Sequence, residues 1–211
     1  MSRAQSDRQV ADDSGFTIVE LLISLAVFSF VLITITVAFI QIFASYNTAI
    51  YRKTVNDNAR AMVGDITTVL REVSSPSVVN TGDLGNGRLC IGGTSYVWNA
   101  VGAGMNNKVN GKAVNVDKIT NDAGQACITP GNNVITSGTV TSIFNSQVGI
   151  QTLTLTQLNG VQNLYKVNLT ATTNNGVYLN ASGKCKYLGS APGAQYCAQV
   201  NLSQVTGLLN E

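Results

Sequence analysis

The pattern of polar and apolar positions divides the chain into a polar, an apolar and a mixed stretch. Residues 1–15 are polar, and an apolar run follows over residues 16–44. Within it, residues 21–40 are 20 consecutive positions without a charge, and a helix of that length is roughly 30 Å long, the thickness of a bilayer's hydrocarbon core. A cleaved secretory signal has a shorter apolar region followed by a small-residue site, and this run has neither. The run therefore predicts a membrane-spanning helix that stays in the protein.

A one-sided apolar pattern continues beyond the membrane segment. Its members are Val55, Ala59, Met62 and Ile66, then Val69 or Leu70, and finally Val73. Spacings of three and four residues are typical of an amphipathic helix that packs on a core. Ser74-Ser75-Pro76 ends the pattern, because proline disfavours helical backbone in the residue before it. We therefore predict one helix over residues 16–73, apolar all round in its first half and one-sided in its second.

After this helix, apolar and polar positions alternate, which is typical of β-strands. Residues 89–91 and 96–98 are predicted to be short strands around a turn at Gly92-Gly93. Residues 99–137 are rich in Gly and Asn and are predicted to form a long loop that contains at most one strand.

The clearest predicted hairpin pairs residues 150–155 with residues 165–169, with Asn159-Gly160 in the turn. Leu153 and Leu155 are expected to face the helix, while the threonines between them face outward. A long N-terminal helix followed by strands predicts an α+β fold, in which the helix packs on an antiparallel β-sheet head.

The composition argues against several classes of function. Charged residues are 11% of the chain and the net charge is +2, so no basic field favours nucleic acid as a partner. The chain has no histidine and no G-x-S-x-G sequence, and its acidic residues are scattered. We expect no enzymatic activity, no cofactor and no metal site.

All four cysteines lie beyond the apolar run, at Cys90, Cys127, Cys185 and Cys197. An even number without C-x-x-C spacing favours two disulfides formed in an oxidising compartment. The residues alone leave all three pairings open.

One charge, Glu20, lies inside the apolar run. A carboxylate within a bilayer costs on the order of 2.5 kcal/mol or more unless it is paired. One explanation is that Glu20 lies at the level of the lipid headgroups, only four residues into the run. The sequence around it supports a different explanation.

The string Gly15-Phe16-Thr17-Ile18-Val19-Glu20-Leu21-Leu22 resembles the cleavage motif of type IV prepilins. The resemblance implies that a prepilin peptidase cuts after Gly15 and that the new amino group of Phe16 is methylated. It also implies that Glu20 pairs with the Phe16 ammonium of a neighbouring subunit during assembly. Such an ion pair, removed from water, favours the correct register between neighbouring subunits. A subunit in the wrong register would leave a buried charge without a partner.

The resemblance further implies a lollipop architecture with four parts. These are a leader peptide (1–15), a transmembrane and assembly segment (16–45), the amphipathic second half of the helix (46–76) and a β-rich head (77–211). Many pilins close a C-terminal loop with a disulfide, which here would join Cys185 to Cys197 and leave Cys90 to pair with Cys127.

Two features depart from the family pattern. The leader carries Arg3 and Arg8 against three aspartates, so it lacks the usual positive charge, and the cytoplasmic location of the N-terminus rests on the resemblance. The span also lacks the helix-breaking proline of many major pilins.

The resemblance implies a single-pass plasma-membrane precursor whose mature form enters an extracellular filament. Its expected partners are the membrane before assembly, the prepilin peptidase, the inner-membrane assembly platform and other pilin subunits. The large head, the unbroken span and the strand pattern over residues 150–170 are more similar to minor pilins or J-type pseudopilins. Of these we favour a minor pilin with a role in adhesion, motility or DNA uptake. The alternatives are a major pilin, a pseudopilin of a type II secretion system and a tip adhesin.

Overall fold

The structure is a computed structural model. The structure describes residues 16–73, 78–81, 87–99, 108–109, 112–113, 115–120, 134–135, 138–158, 164–174, 177–180, 184–186 and 193–208. Internal contacts divide the chain into two compact units, Met1–Phe43 and Ala44–Glu211.

A single α-helix, α1, spans Ile18–Glu72, which confirms the predicted helix to within two residues at each end. Arg71 lies in its last turn, where a cation interacts favourably with the helix dipole. In the second unit, α1 buries one face, formed by Val55, Ala59, Met62, Val63, Ile66, Thr67, Val69 and Leu70. This face contains the predicted apolar stripe, and Val73 packs against the same core although it is only partly buried.

The rest of the described chain is mainly β-structure. The strands are β1 (Val78–Thr81), β2 (Gly87–Ile91), β3 (Thr94–Trp98), β4 (Lys108–Val109), β5 (Lys112–Ala113), β6 (Val116–Thr120), β7 (Val134–Ile135), β8 (Thr139–Ser142), β9 (Val148–Gln157), β10 (Leu164–Thr173) and β11 (Gln199–Gly207).

These strands form three sheets. A five-stranded sheet has the order β1-β2-β3-β6-β8, and a three-stranded sheet has the order β11-β10-β9. Both are antiparallel. A small third sheet has the order β5-β4-β7, and there β4 pairs with β7 in parallel. The predicted α+β fold with antiparallel sheets is therefore confirmed.

The predicted hairpin corresponds to β9 and β10. Leu153 lies opposite Leu169, and Leu155 lies opposite Val167. All four side chains belong to the core that also contains the buried face of α1, as expected for the inward positions of alternating strands. The predicted turn at Asn159-Gly160 lies outside the described residues.

The prediction of a long loop over residues 99–137 was wrong. The stretch contains β6, which pairs with β3 inside the five-stranded sheet, and it also contributes β4, β5 and β7. In β6 only Val116 and Ile119 are buried, so the period-two pattern that marks a strand is missing. The strand is held instead by its backbone pairing and by a polar contact of Lys118 with the helix.

That polar contact centres on Asp65 of α1. Its carboxylate accepts a hydrogen bond from the Tyr96 hydroxyl at 2.7 Å and pairs with the Lys118 ammonium at 2.7 Å. Burial, together with the bond to Asp65, raises the pKa of Tyr96 far above its usual value, so the phenol stays protonated and keeps donating. The contact fixes α1 to two neighbouring strands, β3 and β6.

The C-terminal part contains a disulfide between Cys185 and Cys197, with 5.7 Å between the Cα atoms. Closing a loop of this length contributes about 2–3 kcal/mol by restricting the unfolded chain. A short 3₁₀ turn, Ala194–Tyr196, lies just before Cys197. The Tyr196 ring meets the Tyr51 ring of α1 edge-on, with 5.9 Å between centroids, and so packs this loop on the helix.

The contact between Gly87 and Trp98 gives a stability prediction. The two residues are cross-strand partners, and a Cβ added at Gly87 would overlap the Trp98 ring. Because Trp98 is buried, the ring has little room to move. We expect Gly87→Ala to lower the free energy of unfolding by about 1–3 kcal/mol in a urea titration.

Gly64 provides the matched control for this prediction. It is exposed on α1, and an added Cβ would have no atom within 4 Å. Gly64→Ala should therefore raise stability by up to about 1 kcal/mol, because alanine is the better helix former. Equal effects of the two substitutions would show that the Trp98 ring does not confine position 87.

Candidate assembly segment

The N-terminal end of α1 begins at a capping residue. Thr17 directly precedes the helix, and its hydroxyl accepts a hydrogen bond from the backbone N–H of Glu20 at 3.3 Å. This is the backbone half of a capping box, in which a Thr at the cap is followed three residues later by Glu. The T-x-x-E pattern of Thr17 and Glu20 is the sequence signal from which this cap could have been predicted.

The helical residues that follow expose an apolar surface on all sides. Phe16 is 73% exposed and Ile18 80%, and large apolar side chains remain exposed as far as Ile50. By length and composition, α1 is able to cross a membrane, and no residue in its most apolar window is buried. The core helix of a soluble protein would be largely covered, so this surface requires lipid or other protein segments around it.

The hydroxyl groups within this segment bond to the helix itself. Ser29 donates to the Leu25 carbonyl at 2.7 Å, and Thr36 donates to the Leu32 carbonyl at 2.8 Å. Thr34 makes the same kind of bond to Val31. These residues are therefore compatible with lipid and do not break the helix, because their polar groups are satisfied locally.

Glu20 is the single charged residue between Phe16 and Tyr51. Its side chain is exposed in the isolated chain, on the first turn of α1. A carboxylate at a helix N-terminus is favoured by the helix dipole, but only within the first turn. In an apolar environment, an ionised carboxylate is costly unless an opposite charge pairs with it.

The two predicted processing residues, Gly15 and Phe16, lie on either side of the point where the described residues begin. Phe16 is described and is exposed, directly before the Thr17 cap. Gly15 and the rest of residues 1–15 lie outside the described residues. The cut predicted after Gly15 would place a new amino group immediately ahead of the helix.

Comparison with known protein families matches this region. Residues 11–36 fit the prokaryotic N-terminal methylation motif. This match supports a type IV pilin-like precursor. The matched residues include Gly15, Phe16 and Glu20, whose individual roles stay predictions. No curated protein and no solved structure matches the chain.

The motif and the helix together fit a membrane-anchored precursor of a structural protein. They imply, in general terms, processing by a prepilin peptidase and assembly with other pilin-type subunits. The match covers 26 of 211 residues, so it concerns the assembly segment and carries no information about the head.

Two further features of the head bear on the cysteine predictions. The Cys185–Cys197 pair is present, as described above. Cys90 is 3% exposed and its sulfur lies 3.3 Å from the Ser95 hydroxyl. Its predicted partner, Cys127, lies outside the described residues.

Proposed function

We propose that the protein is a structural subunit of an extracellular type IV pilus-like filament. It is made as a single-pass precursor, cut after Gly15, methylated on Phe16 and assembled through the first half of α1. In this proposal Glu20 pairs with the Phe16 ammonium of a neighbouring subunit. The other partners are the prepilin peptidase and the inner-membrane assembly platform.

One observation carries the proposal. The apolar surface from Phe16 to Phe43 is exposed on every side of the helix and contains a single carboxylate, at the fifth residue after the predicted cut. A helix that needed only an anchor would gain from an apolar residue at this place, because the carboxylate raises the cost of insertion. A carboxylate at this position would stabilise a packed bundle of such helices if a positive charge from a neighbouring helix paired with it in the apolar interior.

Within the family we assign the protein to the minor pilins. The unbroken span and the large head support this assignment. The head belongs to the 168 residues of the second unit. A role in adhesion, motility or DNA uptake follows from the assignment.

Subunit abundance tests the assignment. Quantitative mass spectrometry of sheared surface filaments should find this chain at a small fraction of the most abundant pilin. An equimolar or dominant amount would identify a major pilin. Recovery only from the envelope, with loss of secreted enzymes in a deletion strain, would identify a secretion pseudopilin.

We also propose that Cys90 pairs with Cys127. Cys90 is buried in β2, between β1 and β3, so a link from it would tie another segment to an inner strand of the five-stranded sheet. Peptide mapping without reduction should yield one peptide pair containing residues 90 and 127 and another containing residues 185 and 197. A link between residues 90 and 185 would exclude both assignments.

A further inference from the structure

The strand β11 forms one edge of its three-stranded sheet, and no other described strand pairs with its outer side. On the inner side, β10 pairs with it through nine consecutive residues, from Gln199 to Gly207, without a bulge. At the opposite edge of the same sheet, β9 contacts β1 and β2. We refer to the outer side of β11 as the open edge.

The open edge lacks the features with which proteins usually protect such a strand. These features are charged side chains, proline, bulges and a short length. Gln199–Gly207 contains no charged residue and no proline, and it is nine residues long. By contrast, the outer strands of the five-stranded sheet, β1 and β8, have four residues each. An edge like that of β11 is suited to pairing with an extended segment from another chain.

The backbone bonds indicate which residues of β11 face outward. The Ala198 carbonyl, directly before the strand, accepts a hydrogen bond from the Thr173 N–H at 3.0 Å. Because successive residues of an antiparallel strand turn their backbone groups to opposite sides, the even-numbered residues continue this pairing with β10. The odd-numbered residues in the middle of the strand, Asn201, Ser203 and Val205, therefore direct their N–H and C=O groups outward. No described residue bonds to these groups.

A groove of about 380 Å³ lies between the open edge and α1. It is lined by Arg60 and Val63 of α1 and by Leu202, Ser203 and Gln204 of β11. Since successive side chains of a strand point to opposite faces of a sheet, a groove lined by three consecutive residues reaches the edge of the strand. The groove therefore offers room beside the outward N–H and C=O groups of Ser203.

The charged side chain in the lining of this groove is Arg60. It is exposed, and its Nε donates to the side-chain oxygen of Asn56 at 3.3 Å. Among the described residues, no carboxylate forms an ion pair with Arg60. The strands β9, β10 and β11 contain no acidic residue. The guanidinium can therefore accept a carboxylate from another molecule, with which arginine forms charge-assisted and often bidentate hydrogen bonds.

We propose that the groove binds an extended, acidic peptide segment of a partner protein. The segment adds a strand to β11 through the outward backbone groups, and a carboxylate on it pairs with Arg60. Val63 and Leu202 give an apolar side chain of the segment a surface to contact. A second copy of the chain that paired through its own β11 would bring no carboxylate from that strand, so charge favours a different partner.

The site lies within one compact unit of the chain. Residues 44–72 of α1 and the sheet both belong to the unit Ala44–Glu211. Binding at the groove therefore requires neither cleavage of the precursor nor its polymerisation.

Backbone amide hydrogen exchange, followed by NMR on the full-length chain in detergent micelles, tests the proposal. The probe is a Thr-rich peptide with the length of β11 and one central Glu, and its control is the same peptide with Gln at the centre. Both are added to about 2 mM, because a short peptide on a strand edge binds at the weak end of the affinity range. We expect the Glu peptide to slow exchange of the Asn201, Ser203 and Val205 amides and to bind about three- to fivefold more tightly than the Gln peptide.

Two pairs of variants locate the binding. Arg60→Gln should reduce the preference for the Glu peptide to less than about twofold, whereas Arg52→Gln, an exposed arginine of α1 outside the groove, should keep it. Ser203→Pro removes an outward N–H but no bond to β10, and it should weaken both peptides by about tenfold or more. Ser203→Ala keeps that N–H and should bind as wild type does. Arg60→Gln leaves β11 unchanged, so the arginine pair decides the question if Ser203→Pro does not fold.

The proposal is overturned if about 2 mM of the Glu peptide leaves exchange of the three amides unchanged. It is also overturned if the two peptides bind equally, or if Arg60→Gln and Arg52→Gln behave alike. Protection of these amides without peptide would overturn it as well. Such protection at low protein concentration would assign the open edge to a segment of the same chain, and protection that grows with protein concentration would assign it to a second copy.

Discussion

Glu20→Gln protein is expected to insert into the membrane and to be processed, but to be absent from sheared filaments. Glutamine at this position keeps the capping arrangement with Thr17, because the bond uses the backbone N–H and a Gln side chain also suits a capping box. What changes is the charge. In an apolar filament core the Phe16 ammonium of a neighbour would then have no counter-charge, at a cost of about 3–5 kcal/mol.

A cost of this size lowers incorporation by roughly 10²- to 10⁴-fold, which immunoblots of filament and membrane fractions detect easily. Glu20→Ala should show the same phenotype and should insert at least as well as wild type, since the span becomes more apolar. Asp57→Asn is the control, because Asp57 is an exposed carboxylate on the same helix. If Glu20→Gln protein assembled at the wild-type level, Glu20 would be a residue of the headgroup level and the pairing would be excluded.

The second large effect is expected at the cleavage site. Gly15→Val should leave the precursor uncut in the membrane, because a branched side chain prevents the close backbone approach that glycine permits to a peptidase. The uncut chain keeps its 15-residue polar leader, so it migrates more slowly on a gel and does not enter filaments.

Ser14→Val is the control for this prediction. It introduces the same side chain one residue earlier, while the Gly15–Phe16 junction is unchanged. We expect its precursor to be cut. Normal cutting of Gly15→Val, or equal failure of both variants, would show that recognition does not depend on glycine at position 15.

The features that the sequence predicted well are those with a strong period or a specific motif. The helix could be predicted from a long uncharged run and from an apolar stripe with spacings of three and four residues. Both patterns arise because the helix has apolar surface to remove from water, all round in its first half and on one face in its second. The β9–β10 hairpin follows from alternation at Leu153 and Leu155. The N-terminal motif combines Gly15, Phe16 and Glu20 at fixed spacing.

The features that the sequence did not predict depend on contacts between distant residues. In β6, Asp117 and Lys118 separate the two buried residues, and Lys118 finds its partner, Asp65, 53 residues earlier. β11 is an edge strand, and Thr206 is its one buried residue. Val200 and Leu202 are only partly buried, so the strand has little alternation of apolar and polar residues that a sequence could reveal. Tertiary pairing decides both strands, because their local pattern favours no single structure.

The pKa shifts of charged side chains inside the head could not be predicted from the sequence either. Asp117 is partly buried, and this burial raises the pKa of its carboxyl, while a hydrogen bond from Ser142 acts in the opposite direction. Arg88 is buried in β2, and burial lowers its pKa. Neither side chain belongs to a periodic pattern, so nothing in the sequence indicated that β-sheet neighbours would cover them.

The N-terminus of the chain in sheared surface filaments tests the central claim most directly. Tandem mass spectrometry of the purified filaments should identify a terminal peptide that begins at Phe16 and is heavier by one methyl group on its amino nitrogen. The account is contradicted if the assembled, surface-exposed chain begins at Met1 or Ser2, since polymerisation through a free Phe16 amine would then be impossible.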